Sequence, residues 1–336
     1  MIDADQSASI ALEFDAQAEC DRIAKALRRQ VGPVLRRRGL VLGMSGGVDS
    51  SVCAALAVQA VGRDRVCAVF MPEREGSRES VDLARAWADE LGIPWILEDV
   101  SALLEASGCY ARRDEAIRRV IPGYDHDWAC RLVLPADRTD TGVLSIFLLE
   151  VRAPDGTRQV VRLPAGVYRQ VVAATSFKQR TRAMMLYYHA DRLHYAVLGT
   201  PNRLEYDQGF FVKGGDGLAD VKPIAHLFKG EVYALAACLG VPDAVTSRPP
   251  TTDTYSLPQT QDEFYFATGT AELDALMSAL NRGLDEAAAA LATGIDAARV
   301  AHVFADIQRK RVTTRYLHLP PLLVEPVPEV AHGAVD

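Results

Sequence analysis

The chain has 336 residues, 49% of them hydrophobic and 24% charged, with a net charge of −7. The length exceeds one core of ordinary size, so one large domain with insertions and two domains are both open, and the composition is that of a soluble globular protein. The acidic balance excludes a general nucleic-acid binder, which carries a basic face, and leaves any anionic substrate to local Lys and Arg.

Met1 to Gln6 is acidic and lacks the shape of a signal peptide. Residues 15–38 read as an amphipathic helix, interrupted at Pro33 and ending in Arg36-Arg37-Arg38, a basic run suited to a helix C-terminus. Gly39-Leu40-Val41-Leu42 is an apolar run that predicts a buried strand, and Val52 to Val58 predicts an Ala- and Leu-rich helix. Between them lies Leu42-Gly43-Met44-Ser45-Gly46-Gly47-Val48-Asp49-Ser50-Ser51. A strand, a glycine turn and a helix N-terminus make an anion site, because free N–H groups and the helix dipole converge there. Gly46 and Gly47 let backbone approach a phosphate, and the hydroxyls of Ser45, Ser50 and Ser51 can donate to its oxygens. Asp49 is a poor phosphate neighbour unless a cation lies between, so it reads as a Mg²⁺ ligand. The alternative is a tight structural turn with no ligand.

Val66 to Phe70 and Pro94 to Leu97 predict two further strands, with a helix over Ser80 to Glu90 between them. Strands alternating with helices predict a doubly wound parallel α/β sheet, which binds ligands beyond the carboxyl ends of its strands. Met71-Pro72-Glu73-Arg74 falls at that edge. Residues 107–168 differ in texture and read as an insertion. Within it, Val143 to Leu149 and Gln159 to Leu163 flank Pro154-Asp155-Gly156 as a β-hairpin, and Asp125-His126-Asp127 has metal-ligand residue types but reads better as a solvated turn.

Alternation returns with a helix over 168–192 and strand Tyr195 to Leu198. Gly199-Thr200 then puts Thr200 at the ligand edge, with Glu205 able to supply a second carboxylate for Mg²⁺. Gly209 to Asp220 mixes glycines with Lys213 and two Asp residues and predicts a mobile loop closing over a polar ligand. A helix over 226–240 carries Lys229 near its start, and His226 is a candidate cap. The C-terminal third is helical, with Ile295, Val300, Val303, Phe304 and Ile307 packing as core. His189 and His194 read as packed or solvated. Cys20, Cys53, Cys67, Cys109, Cys130 and Cys238 show neither metal-ligand spacing nor a disulfide framework, which suits reducing cytoplasm. No apolar stretch is long enough for a membrane span. The expected layout is a single domain over 15–325, the insertion within it, and a loose tail over 326–336.

The Ser45–Ser51 run lacks the spacer and Lys of a Walker loop. It resembles the SGGxDS signature of PP-loop ATP pyrophosphatases, which split ATP into AMP and pyrophosphate. Residues 209–220 resemble the GFFTKxGDGxAD block of NAD synthetases, the members of that superfamily that amidate nicotinic acid adenine dinucleotide. Lys178-Gln179-Arg180-Thr181-Arg182 is similar to that family's RxR helix motif, and Pro250-Thr251-Thr252-Asp253 to its Pro-Thr-Ala-Asp turn. The resemblance implies that Ser45, Gly46, Gly47, Val48, Asp49, Ser50, Ser51, Arg74, Thr200, Lys229 and Thr251 hold ATP, and that Asp49 and Glu205 bind Mg²⁺. It assigns the dinucleotide to Arg180, Lys213 and Asp220, and the catalytic roles to Lys229 and Asp49. The chain departs from the pattern at Pro201-Asn202-Arg203-Leu204, in the long insertion, and near Arg315, which stands in by charge for a His-Lys pair that helps hold the dinucleotide and so joins the residues assigned to it. The family's usual homodimer is the expected assembly. About forty residues before the loop are too few for a glutamine amidohydrolase domain, so free ammonia or a separate glutaminase subunit is the expected nitrogen source. Two rivals share these features: an amide synthetase for another carboxylate, and a nucleotide-binding module without catalysis. A tRNA-modifying PP-loop enzyme fits less well, because the chain has no basic face and no Zn pattern.

Overall fold

The computed structural model describes residues 14–133, 148–248, 254–257, 259, 265–266 and 268–329. Helix α1 (Ala16–Arg29) starts at Asp15, whose carboxylate accepts the Ala18 amide, and buries Cys20, Ile23, Ala24 and Leu27. It is shorter than the helix predicted over 15–38. Pro33 has no N–H to donate, the hydrogen bonding widens into a π-type turn over Gln30–Val34, and Arg36 turns left-handed.

Strand β1 (Leu40–Gly43), helix α2 (Val48–Val61), β2 (Val66–Phe70), α3 (Arg78–Leu91) and β3 (Trp95–Leu97) then alternate. Helices α4 (Ser101–Ala106) and α5 (Cys109–Arg118) lead to strands β4 (Ala129–Val133), β5 (Leu148–Arg152) and β6 (Arg158–Arg162). The long α6 (Ala165–Leu193) returns the chain to β7 (Ala196–Leu198). The remainder is helical: α7 (Arg203–Gln208), α8 (Lys229–Cys238), α9 (Asp243–Thr246), α10 (Thr270–Asn281), α11 (Glu286–Thr293) and α12 (Ala297–His318).

The main sheet is parallel in the order β3-β2-β1-β7. Strand β2 is buried at every residue, and α2 is buried nearly all round. That is why both read as unbroken apolar runs rather than as alternating or striped patterns. The order turns back on itself at β1, with β2 on one side and the late strand β7 on the other. The carboxyl ends of β1 and β7 therefore open a crevice at a topological switch point.

Two smaller cores flank the sheet. Strands β4, β5 and β6 form an antiparallel sheet, and Leu132, Leu149 and Val151 pack with Ile117 of α5 and Val171 of α6. The hairpin lies where Pro154-Asp155-Gly156 predicts a turn, with Arg152 opposite Arg158, while residues 143–147 lie outside the described residues. Strand β4 was not foreseen. The third core packs Leu276 and Met277 of α10 against Val300, Val303, Phe304 and Ile307 of α12. Ile295 joins that core from the loop ahead of α12, not from its face.

Candidate active site

The turn after β1 has the form that its glycines dictate. Gly46 sits at φ 76°, and a Cβ there would lie 2.3 Å from the Ser80 carbonyl oxygen of α3. Only glycine meets both demands. Gly47 is the extended residue before α2, so the first amides of that helix are left for a ligand. Ser50 donates to the Gly47 carbonyl at 3.0 Å, and its oxygen lies 3.3 Å from both the amide and the hydroxyl of Ser45. Ser45 and Ser50 thus stiffen a loop whose rim faces the crevice. Ser51 turns the other way. It is fully buried, donates to the same Gly47 carbonyl at 3.0 Å, and its own carbonyl accepts the Trp87 indole. Its hydroxyl holds the helix start and does not face the crevice.

Asp49, in the first turn of α2, meets groups from two distant elements. Asn202 donates its side-chain amide to one oxygen at 3.3 Å, and the Lys229 ammonium bonds the other. Asn202 and Glu205 form a reciprocal capping box at the start of α7, with bonds of 3.2 Å and 3.0 Å. This box fixes both side chains of a six-residue helix that would not hold by itself. Lys229 is the first residue of α8 and is 2% exposed. Burial alone would lower its pKa, but the Asp49 and Glu205 carboxylates outweigh burial and hold it above the ordinary lysine value. Lys229 is therefore a fixed cation rather than a base. The neighbouring Cys53 thiol is pushed well up by burial, with Asp49 and Glu205 adding to the rise, so it is inert.

These residues border a cavity of about 670 Å³. Ser45, Gly46, Gly47, Val48, Asp49, Ser50, Thr200, Glu205 and Lys229 all line it. Thr251 lies outside the described residues. Arg74 does not line the cavity: its guanidinium stacks 3.5 Å over the Tyr110 ring and bonds Glu105 at 2.7 Å.

The four residues assigned to the dinucleotide also stand apart from the cavity. Asp220 accepts the Val197 amide at 2.7 Å and the Tyr187 hydroxyl at 3.2 Å, which ties it to β7. The Lys213 ammonium bonds the carbonyls of Tyr316 and Leu319 at 2.7 Å and 3.0 Å, and Arg180 reaches the Lys213 carbonyl at 3.4 Å. Arg315 is exposed on α12. The segment predicted as a mobile loop is a compact turn. A Cβ at Gly217 would lie 2.3 Å from the Phe211 ring, and Asp216 accepts the Val212 amide at 2.7 Å. Gly209, Gly215 and Gly217 admit close packing, whereas Gly214 serves a left-handed turn at φ 73°. His226 does not cap α8; it bonds Glu19 at 2.6 Å.

A buried charge network beside the cavity was missed. Lys178, 1% exposed, bonds Glu73 at 2.9 Å, Glu75 at 2.7 Å and the Thr254 carbonyl at 3.1 Å. Tyr110 donates to Glu73 at 2.6 Å, and Arg113 bonds Glu75 at 2.8 Å. Burial would raise the Glu75 carboxyl, but Arg113 and Lys178 hold it below its usual range. Arg182 and Arg248 bring two more cations to the cavity wall. In the sequence, Lys178 is one cation in a basic helix. Only the packing of α6 against α5 makes it internal.

The family model described as NAD synthase matches residues 19–119 and 159–315. The chain is 55% identical to an NH(3)-dependent NAD(+) synthetase of Rhizobium rhizogenes over 95% of its own length and 96% of that protein. It is 53% identical to the enzyme of the same name from Rhizobium meliloti over 95% of each. Its fold resembles that of an NMN synthetase from Francisella tularensis, with a TM-score of 0.63 at 19% identity over 93% of this chain and 99% of that one.

Proposed function

The chain belongs to the NAD synthase family, and we propose that its glycine loop, Asp49, Glu205 and Lys229 form the ATP end of that family's reaction. The protein is a ligase that amidates a carboxylate at the expense of ATP to give NAD. The acid that differs from NAD only at the amide is nicotinic acid adenine dinucleotide, and ammonia is the nitrogen donor. Relatives of this identity over nearly the whole chain do not favour the two rival readings, another carboxylate or a module without catalysis.

The chemistry divides in two. A substrate carboxylate oxygen attacks the α-phosphorus of ATP, the bond to the bridging oxygen breaks, and pyrophosphate leaves an acyl-adenylate behind. Ammonia then attacks the acyl carbon, AMP departs, and the nitrogen loses a proton to leave the amide. A carboxylate is a poor electrophile until adenylation gives it a leaving group. The protein's contribution is position and charge. The amides at the head of α2 bind phosphate oxygens. Lys229, kept protonated by its two carboxylate neighbours, offsets the charge that develops on pyrophosphate. No side chain is required as a nucleophile.

A cation suits this end of the site. Asp49 and Glu205 would repel a triphosphate, while Mg²⁺ takes one or two carboxylates along with phosphate oxygens and water. Among the described residues no group of three or more His, Cys, Asp or Glu forms an all-protein cage. A donor pair completed by substrate phosphate fits Mg²⁺, which would neutralise charge on the departing phosphates. Asp49 and Glu205 are the residues proposed to hold it.

The dinucleotide is proposed to lie toward Arg180, Lys213 and Arg315, on the α12 side of the compact turn, with Asp220 at the turn's β7 end. The proposed working unit is a homodimer in the cytoplasm, using free ammonia or the product of a separate glutaminase subunit. The described cysteines are all free thiols, which suits a reducing compartment. No single described helix is long and apolar enough to cross a membrane. The proposed layout is one domain over 15–325 with residues 107–168 inserted and a tail over 326–336. The small core under β4, β5 and β6 and the gap in the family match at 120–158 support it.

The observation that carries this reading is the meeting of Asp49, Asn202 and Lys229, from α2, the α7 cap and α8, at the mouth of one glycine loop. Nicotinic acid adenine dinucleotide, ATP, Mg²⁺ and ammonia are expected to yield NAD, AMP and pyrophosphate in equal amounts. Nucleotide binding without pyrophosphate release would overturn the reading.

A further inference from the structure

Helix α8 presents its first residue to the reaction, so the position of Lys229 depends on how that helix end is held. The leading amides of a helix have no partner within it. Here the Phe228 amide is taken by Glu231 at 2.7 Å. The next two are taken by a residue 45 positions away: Asp274, on α10, accepts the Lys229 amide at 3.4 Å and the Gly230 amide at 2.9 Å. Helix α10 belongs to the third core, packed through Leu276 and Met277 against α12. Phe228 packs against that core too, and Asp274 is the polar tie from it to the backbone at Lys229.

We propose that Asp274 is a positioning residue for the reaction, whose carboxylate clamps the head of α8 so that Lys229 meets Asp49 and the phosphates of ATP at a fixed place. The proposal rests on the role given to Lys229 above. It uses both carboxylate oxygens as acceptors, and both are strong acceptors only in the ionised form. Lys229 and Glu231 of α8 are the charged groups whose fields reach Asp274, and Glu272 on its own helix is paired with Arg299 of α12. Burial pushes the Asp274 carboxyl up to about 6, the two amides and Lys229 oppose that rise, and Glu231 adds to it. Acidification below that point puts a proton on one oxygen and weakens the bond that oxygen accepts from its amide. The sign for stability is opposite. A carboxyl whose folded pKa is raised favours the folded state as pH falls toward its unfolded value, so the protonation of Asp274 does not itself weaken the fold while the clamp loosens.

Asp274→Asn copies the protonated form at every pH. Its kcat is expected to be about tenfold lower than wild type near pH 8, with KM for ATP little changed and Tm shifted by only a few degrees. The ratio of wild-type to variant kcat from about pH 5 to about pH 8 cancels the titration of ammonia and ATP, and it is expected to fall toward one below about pH 6. Lys229→Ala is assayed alongside. If Lys229→Ala is slow while the Asp274→Asn ratio stays at one throughout, the clamp is wrong and the Lys229 reading stands. If Lys229→Ala turns over as wild type, both fall. Hydrogen exchange at the Lys229 and Gly230 amides of the wild-type enzyme tests the clamp without a substitution. Protection lost below about pH 6, beyond the intrinsic pH trend, supports it, and unchanged protection overturns it.

Discussion

Lys229 is buried as a charge, and a buried charge persists only where partners offset its desolvation. Its partners are the two carboxylates proposed to hold the metal, so one cluster both keeps the ammonium ionised and aims it. Lys229→Ala is expected to slow pyrophosphate formation about 10²–10³-fold, the usual effect of removing one well-aimed charge. The cavity lets water reach Asp49 in its place, so circular dichroism is expected to show an intact fold. Lys229→Arg is expected to rescue little, because a planar fork does not fit a point-charge site. Much of this was legible from residue types: Gly46 and Gly47 by their place between strand and helix, Asp49 by its conflict with phosphate. Ser50 and Ser51 were not separable. Both are hydroxyls at adjacent positions, and the direction of each is set by the first turn of α2, which rotates Ser51 into the core.

At the scale of elements, the strands and helices around the loop are legible because burial on both faces leaves an apolar signature. The losses come where local pattern and tertiary context disagree. Pro33 breaks the helix pattern, but nothing local says that the chain continues into a π-type turn. Strand β4 is short and carries Arg131, whose partner Glu150 lies across the sheet on β5 at 2.7 Å. The contact of α3 with the glycine turn is likewise invisible in sequence, yet it sets a test. Gly46→Ala places a Cβ against the Ser80 carbonyl at a left-handed φ. Thermal unfolding is expected to report a loss of about 1–3 kcal/mol along with weakened ATP binding. The buried network makes a second test. Lys178→Met removes the cation that Glu73 and Glu75 share. Breaking such a pair from one side is expected to cost about 3–5 kcal/mol in urea unfolding, far more than the same change at a surface lysine.

Across the whole molecule, function follows from sheet order. Residues 49, 205 and 229 are far apart in the chain, and the reversal at β1 is what brings the ends of β1 and β7 side by side. The sequence could place both at carboxyl ends of strands but could not show which strands are neighbours. For the same reason the sequence could not show that Arg180 and Lys213, which it assigned to the dinucleotide, lie against the end of α12. The third core carries Asp274, which no local pattern marked. The central claim is that Asp49 and Glu205 share one divalent ion with the phosphates held by the glycine loop. Anomalous diffraction from crystals grown with Mn²⁺ and a non-hydrolysable ATP analogue tests it most directly. The expected result is a manganese peak touching one oxygen of Asp49, one of Glu205 and the nucleotide phosphates, with Lys229 turned toward those phosphates. A peak ligated by neither carboxylate, or a nucleotide bound away from Gly46 and Gly47, would contradict it.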